Sequence, residues 1–120
     1  MKKTSEFIEF LEEVFEKFGI IDIKKMFGGY GVYHEGLMFG LVERNTLYLK
    51  ADIKTKELFE SMELSQFSYR RKDKTIKMSF YRAPEEIFDD KNLAVKWADL
   101  AYGSAFRSAS SGKNQTSRKP

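Results

Sequence analysis

One histidine, no cysteine and a scatter of carboxylates set what chemistry this chain could attempt. His34 stands between Tyr33 and Glu35 beside Gly36, a setting that predicts a solvated turn, and a general base needs a positioned partner that such a turn does not supply. A lone histidine cannot build a multi-histidine metal site. Without cysteine there is no thiolate nucleophile, no cysteine-ligated zinc and no disulfide. Glu85-Glu86 and Asp89-Asp90 are adjacent carboxylates, but acid/base pairs need burial or coupling to separate their pKa values. Here Pro84 predicts a helix start that favours two acids in its first turn, and Asp89-Asp90 reads as a break after it. No residue is assigned to catalysis, to a metal or to a cofactor, and the chain is expected to work by binding.

Two other stretches invite a ligand. Gly28-Gly29-Tyr30-Gly31 is glycine-rich, but phosphate-cradling loops run from a strand into a helix N-terminus, and this one runs from strand to strand. Its glycines are better read as serving φ > 0 or close packing. The second stretch, Tyr69-Arg70-Arg71-Lys72-Asp73-Lys74, gathers cations and an aromatic in one hairpin, with Lys77 and Arg82 nearby. It could lie along a phosphate backbone. The plainer reading is an edge kept from aggregating by its charges. Nothing resembles a helix-turn-helix, a zinc finger or the aromatic signature of RNA-recognition sheets, so any nucleic-acid binding is expected to be weak and sequence-independent. Candidate partner-binding residues are therefore Tyr30, Tyr33 and His34 around the glycine loop, and Arg70, Arg71, Lys72 and Lys74 in the hairpin.

The elements that must position these residues follow from periodicity. After Thr4 or Ser5 as N-cap, Phe7, Phe10, Leu11, Val14, Phe15 and Phe18 recur at helical spacing, and Gly19 stops the helix. Short strands follow: Ile23–Phe27, Gly31–Tyr33, Leu37–Val42 and Thr46–Lys50, joined by turns at His34-Glu35-Gly36 and Glu43-Arg44-Asn45. Short connections make them an antiparallel meander. Asp52–Met62 reads as a second helix, and Phe67, Tyr69, Ile76, Met78 and Phe80 alternate along the arms of a second hairpin. A last helix from Lys91 carries Leu93, Ala94, Trp97, Leu100, Ala101 and Ala105 on one face. The aromatic first helix needs a large surface to cover, which a sheet provides. The fold class is α+β: a two-layer sandwich with an antiparallel sheet of about five to six strands packed against N-terminal and C-terminal helices.

At 120 residues, 42% hydrophobic and 15% aromatic, the chain suits one domain with one core. Of its 21 basic residues, Arg107, Lys113, Arg118 and Lys119 follow residue 106, where no acid occurs, and the remaining 17 face 18 acids. The net charge of +3 thus belongs to the tail, not to the folded surface. The expected organisation is a domain over residues 1–107 and a disordered basic tail over residues 108–120, which lacks large apolar side chains. No apolar run approaches the ~20 residues of a membrane span. The residues after Met1 lead into an acid-containing amphipathic stretch unlike a signal peptide, so the expected location is the cytoplasm, with no membrane partner.

Residues Lys25 to Val42 (KMFGGYGVYHEGLMFGLV) resemble the opening motif of the TfoX (Sxy) N-terminal domain family. Thr46–Lys50, Phe67-Ser68-Tyr69, the run Met78 to Glu86 and a closing helix with Trp97 agree in order, so the resemblance covers about residues 4–106. It implies a two-layer α+β fold without catalytic residues. It also implies a regulatory role in competence for DNA uptake, as a coactivator working with a cyclic-AMP receptor protein through protein contacts. Full regulators of this type carry a second, helical domain, whereas this sequence ends in the polar basic tail. Phe27, Gly28, Gly29, Gly31, Gly36, Tyr81, Pro84 and Trp97 are expected to serve the fold.

Overall fold

The computed structural model describes residues 2–26 and 28–118, and side chains over residues 6–26 and 28–110; Phe27, expected to be a structural residue, lies outside them. In chain order the elements are α1 (Lys2–Val14), β1 (Asp22–Met26), β2 (Gly29–His34), β3 (Leu37–Glu43), β4 (Thr46–Lys50), α2 (Lys56–Ser61), β5 (Gln66–Arg71), β6 (Lys74–Arg82), a 3₁₀ turn (Glu85–Phe88) and α3 (Lys91–Arg118). The strands form one six-stranded sheet in the order β1-β2-β3-β4-β6-β5, and every neighbouring pair is antiparallel. β1 to β4 are the expected meander. The excursion through α2 then brings β6 back beside β4 and leaves β5 at the edge.

Tight hairpins connect the meander. Glu35 and Gly36 both have positive φ, as do Arg44 and Asn45. Two successive left-handed residues make the type of two-residue turn whose twist matches that of the flanking strands.

The elements depart from expectation at their ends. α1 begins at Lys2, so Thr4 and Ser5 lie inside the helix instead of capping it. Helical geometry closes at Val14, and a turn carries the chain through Phe18 to Gly19, whose amide donates to the Phe15 carbonyl. α2 is shorter than predicted because Asp52 and Thr55 tie the preceding turn. Asp52 N–H donates to Thr55 Oγ1 at 3.0 Å and Lys54 N–H to Asp52 Oδ1 at 3.1 Å, local bonds that compete with a helix. The helix expected at Pro84 is only a 3₁₀ turn. Asp90, read as part of a break, is also a cap: its Oδ1 accepts the Asn92 and Leu93 amides at 3.0 and 3.1 Å at the start of α3. Residues 108–118, expected to lack structure, continue α3 to Arg118. Propagating a helix already nucleated on the sheet needs no apolar face, and no proline occurs between Lys91 and Arg118.

All the helices pack on one face of the sheet. That face supplies Val32, Phe39, Val42, Leu47, Leu49 and Tyr81, and the helices supply Leu11, Val14, Phe15, Phe59, Trp97 and the alanines of α3. Phe15 meets Phe39 edge-on at 5.7 Å, and Phe59 lies between Tyr81 at 5.3 Å and Trp97 at 5.1 Å. Tyr81, Pro84 and Trp97 are thus buried parts of this layer.

The glycines have separate reasons. Gly28 and Gly36 adopt φ of +71° and +84°. Gly29 has ordinary φ but no room: a Cβ there would fall inside contact distance of the Val42 carbonyl oxygen, which is backbone and cannot swing aside. Gly29→Ala is expected to destabilise the domain by about 1–3 kcal/mol through this overpacking, read as an earlier urea midpoint with an unchanged slope.

Candidate functional site

The sheet divides the residues singled out from sequence between two surfaces. By register, Val32, Tyr30 and His34 point toward the helices, while Gly31 and Tyr33 point to the open face. His34 is not a solvated turn residue. Its ring lies 4.6 Å from Phe18 and 5.1 Å from Tyr102, its Nδ1 donates to the Ile20 carbonyl at 2.8 Å, and its side chain is 18% exposed. A Cβ on Gly19 would come within 2.9 Å of that ring, so Gly19 makes room for the histidine as well as closing the turn that follows α1. Tyr30, half-buried, packs at the margin of the core.

The basic hairpin is divided in the same way. Arg70 pairs with Thr75 on the helix side, and its guanidinium donates to Thr75 Oγ1 at 3.2 Å. Arg71 and Lys74 face each other on the open side, and Lys72 occupies the turn with φ of 57°. Hairpin and glycine loop sit at opposite ends of the strand order and do not form one site.

On the helix side, α2 is clasped to α3 by a network that sequence reasoning missed. Arg107 Nε donates to Asp52 Oδ2 at 2.7 Å and its Nη2 to Asp52 Oδ1 at 3.1 Å. Ser104 Oγ lies 3.1 Å from Thr55 Oγ1 in the buried layer beneath. Arg107 is therefore not a free tail charge. The partners are 55 residues apart, and no local pattern joins them. The guanidinium and the Lys54 amide hold the Asp52 carboxyl below its ordinary range, against the opposing effect of burial.

The segments joined by this clasp carry four large apolar side chains that face solvent: Ile53 (78% exposed), next to Asp52, Leu58 and Met62 further along, and, from α3, Phe106 (57%), next to Arg107. Leu58 and Met62 are one helical turn apart. Beside them, Ala51, Asp52, Lys56, Glu60, Gln66, Ser79 and Tyr81 line a shallow polar cleft of about 300 Å³. Tyr81 Oη donates to Glu60 Oε2 at 2.7 Å, and that bond, with burial, pushes the phenol up to about 12. The hydroxyl thus stays protonated and serves as a fixed donor. Among the described residues no group of three or more His, Asp or Glu side chains could share a metal ion, and no helix is long and apolar enough to cross a membrane.

The chain is thus a two-layer α+β domain whose helices leave one sheet face uncovered and whose α2 border is apolar. It belongs to the TfoX N-terminal domain family, whose model matches residues 13–105. It is 32% identical over 89 residues to DNA transformation protein TfoX1 of Aliivibrio fischeri, a match covering 71% of this chain and 42% of that protein. The matched part is less than half of that curated relative's length.

The clasp makes the domain acid-sensitive in a definite direction. Because the folded-state pKa of Asp52 is lowered, its contribution is complete above the unfolded carboxylate range near 4 and is lost as pH falls through the lower folded value. Asp52→Asn is expected to cost about 1 kcal/mol at neutral pH, a modest figure because the pair is partly solvated. Urea titrations of both proteins should converge as pH drops from about 5 toward 2.

Proposed function

We propose that this chain is a competence-linked regulatory domain of the TfoX type, acting in the cytoplasm as a coactivator-like module through protein contacts and not by catalysis. Family membership supports the regulatory class, and the printed name of the curated relative supports the link to DNA transformation.

The observation that carries the protein-contact reading is the patch of Ile53, Leu58, Met62 and Phe106. Soluble surfaces scatter large apolar groups singly, whereas here four lie on the two chain segments that the Asp52–Arg107 pair joins. Asp52–Arg107 and Thr55–Ser104 hold the two helices in one arrangement, so the patch is presented preformed. Preformed apolar anchors keep the ordering cost of association low. The partner is a component of the transcription machinery or one of its regulators.

In a naturally transformable host that carries the protein, deleting it should lower transcripts of DNA-uptake genes, and restoring it should recover them. Phe106→Glu and Leu58→Glu should fail to restore expression while melting within a few degrees of the parent. Unchanged transcript levels on deletion would remove the regulatory reading. Full restoration by both variants would remove the patch from it.

A further inference from the structure

The sheet face turned away from the helices is not the polar surface that a solvated antiparallel face usually presents. Register places Tyr33, Met38, Leu41, Tyr48, Tyr69, Ile76 and Phe80 on it, and Phe67 joins them against Tyr48. Leu41 and Phe80 are 5% and 3% exposed yet stand outside the core between sheet and helices, so this face has built a thin apolar floor of its own. Above that floor the rings of Tyr33, Tyr48 and Phe67 are half-buried, and Tyr69 is 41% exposed. Tyr48 meets Phe67 edge-on at 4.9 Å, and Phe67 lies 6.4 Å from Tyr69. Gly31 keeps the β2 end low, because Met26 Sδ, Met38 Sδ and Tyr33 Cε1 each lie 2.9 Å from where its Cβ would be.

The charge on the same face is lopsided. Lys24, Lys50, Arg71, Lys74 and Arg82, the last 3.9 Å from Glu85, share it with the acids Asp22 and Glu43. The cations alternate with the rings: Lys24 Nζ stands 5.0 Å over Tyr33, and Lys50 Nζ stands 5.1 Å over Phe80. Such a face opposes a second copy of itself by like charge. It also gives a duplex little beyond phosphate contact, since paired bases keep their ring faces stacked inside. A flexible single strand satisfies both halves of the pattern, with bases on the rings and phosphates on the cations. From β2 to β5 is four strand spacings, about 19 Å, enough for a short run of nucleotides.

We propose that the open face of the sheet, with Tyr33, Tyr48, Phe67 and Tyr69 as stacking surfaces and Lys24, Lys50, Arg71, Lys74 and Arg82 as phosphate contacts, binds single-stranded nucleic acid without reading sequence or sugar. The site is distinct from the apolar patch on the helix side and does not depend on it. It also differs from a hairpin-and-tail site, because Arg70 faces the other way and Arg107 is engaged by Asp52.

Fluorescence anisotropy of the full chain with labelled oligo-dT and oligo-U of about 20 nucleotides, and with a duplex of equal length, tests it at about 50 and 200 mM salt. Both single strands should bind alike, more tightly than duplex and more weakly at the higher salt. Tyr69→Ala should weaken binding about tenfold, while Tyr69→Phe retains it. Arg71→Glu should weaken it more than Arg70→Glu, its neighbour on the opposite face. All three positions are exposed, and circular dichroism checks the folding of the variants. Absence of binding to either single strand overturns the proposal, as does tighter binding to duplex or full affinity in Tyr69→Ala. Equal displacement by poly-glutamate and by unlabelled oligo-dT would make the face a site for acidic polypeptides and equally overturn it.

Discussion

The fold depends on how closely α3 can approach the sheet. Ala94, Ala98, Ala101 and Ala105 are buried along the helix side that faces β3 and β4, and Gly40 beneath them is buried too. Small residues on both sides bring helix backbone toward sheet backbone, so the larger groups must pack around that contact. Trp97 goes to one side, where Phe59 and Tyr81 close over it. Phe15, Phe18 and Phe39 fill the other, where Tyr102 from the same helix leans on Phe18 and His34. One bulky residue in the alanine row would lift the helix from both clusters at once, and overpacking of that kind is felt throughout a close-packed interior.

This contact makes burial one-sided. With the described helices on one face of six strands, they cover its centre and leave the far end of the β5–β6 hairpin bare, and the opposite face must manage with side chains from the sheet alone. It does so through Leu41 and Phe80, sheltered by neighbouring rings and lysine stems. The same economy leaves α2 short and clasped at its edge, because six helical residues cannot hold position by their own hydrogen bonds. Tertiary ties through Asp52, Thr55, Ser104 and Arg107 take over that task. The apolar patch and the aromatic face both follow from where the helices stop covering the sheet.

Local features were legible in the sequence where their physics is local. The 3.6-residue recurrence of α1, the alternation along β5 and β6, and the turn residues at Glu35-Gly36 and Arg44-Asn45 specify elements from neighbours alone. The two-layer α+β architecture followed from them, and the family motif agreed. The bond from His34 to the Ile20 carbonyl was hidden, because the turn at Glu35-Gly36 looks solvent-facing until Phe18 and Tyr102 fold over the ring. Arg107 looked like a tail charge because Asp52 lies 55 residues away. The open face was hidden for a related reason. Tyr48 and Phe67 are far apart in sequence and meet across β6, which lies between β4 and β5, an order that no local signal encodes.

A single sheet one residue thick also separates surfaces that the sequence places together. Tyr33 and His34 are adjacent, yet one ring lies under Lys24 on the open face and the other is packed among helix residues. Arg70 and Arg71 part in the same way. A charge count over the hairpin therefore overstates the field at either face, and a cluster read as one site is two half-sites back to back. The alternation that frustrates such counting gives the domain two chemically independent sides. Residues on one side can change without crossing the floor of Val42, Leu47 and Leu49 that holds the other in place. A protein contact at the α2 border and a strand laid across the open face would then be bridged by the rigid sheet itself, with no hinge or second domain needed to bring them together.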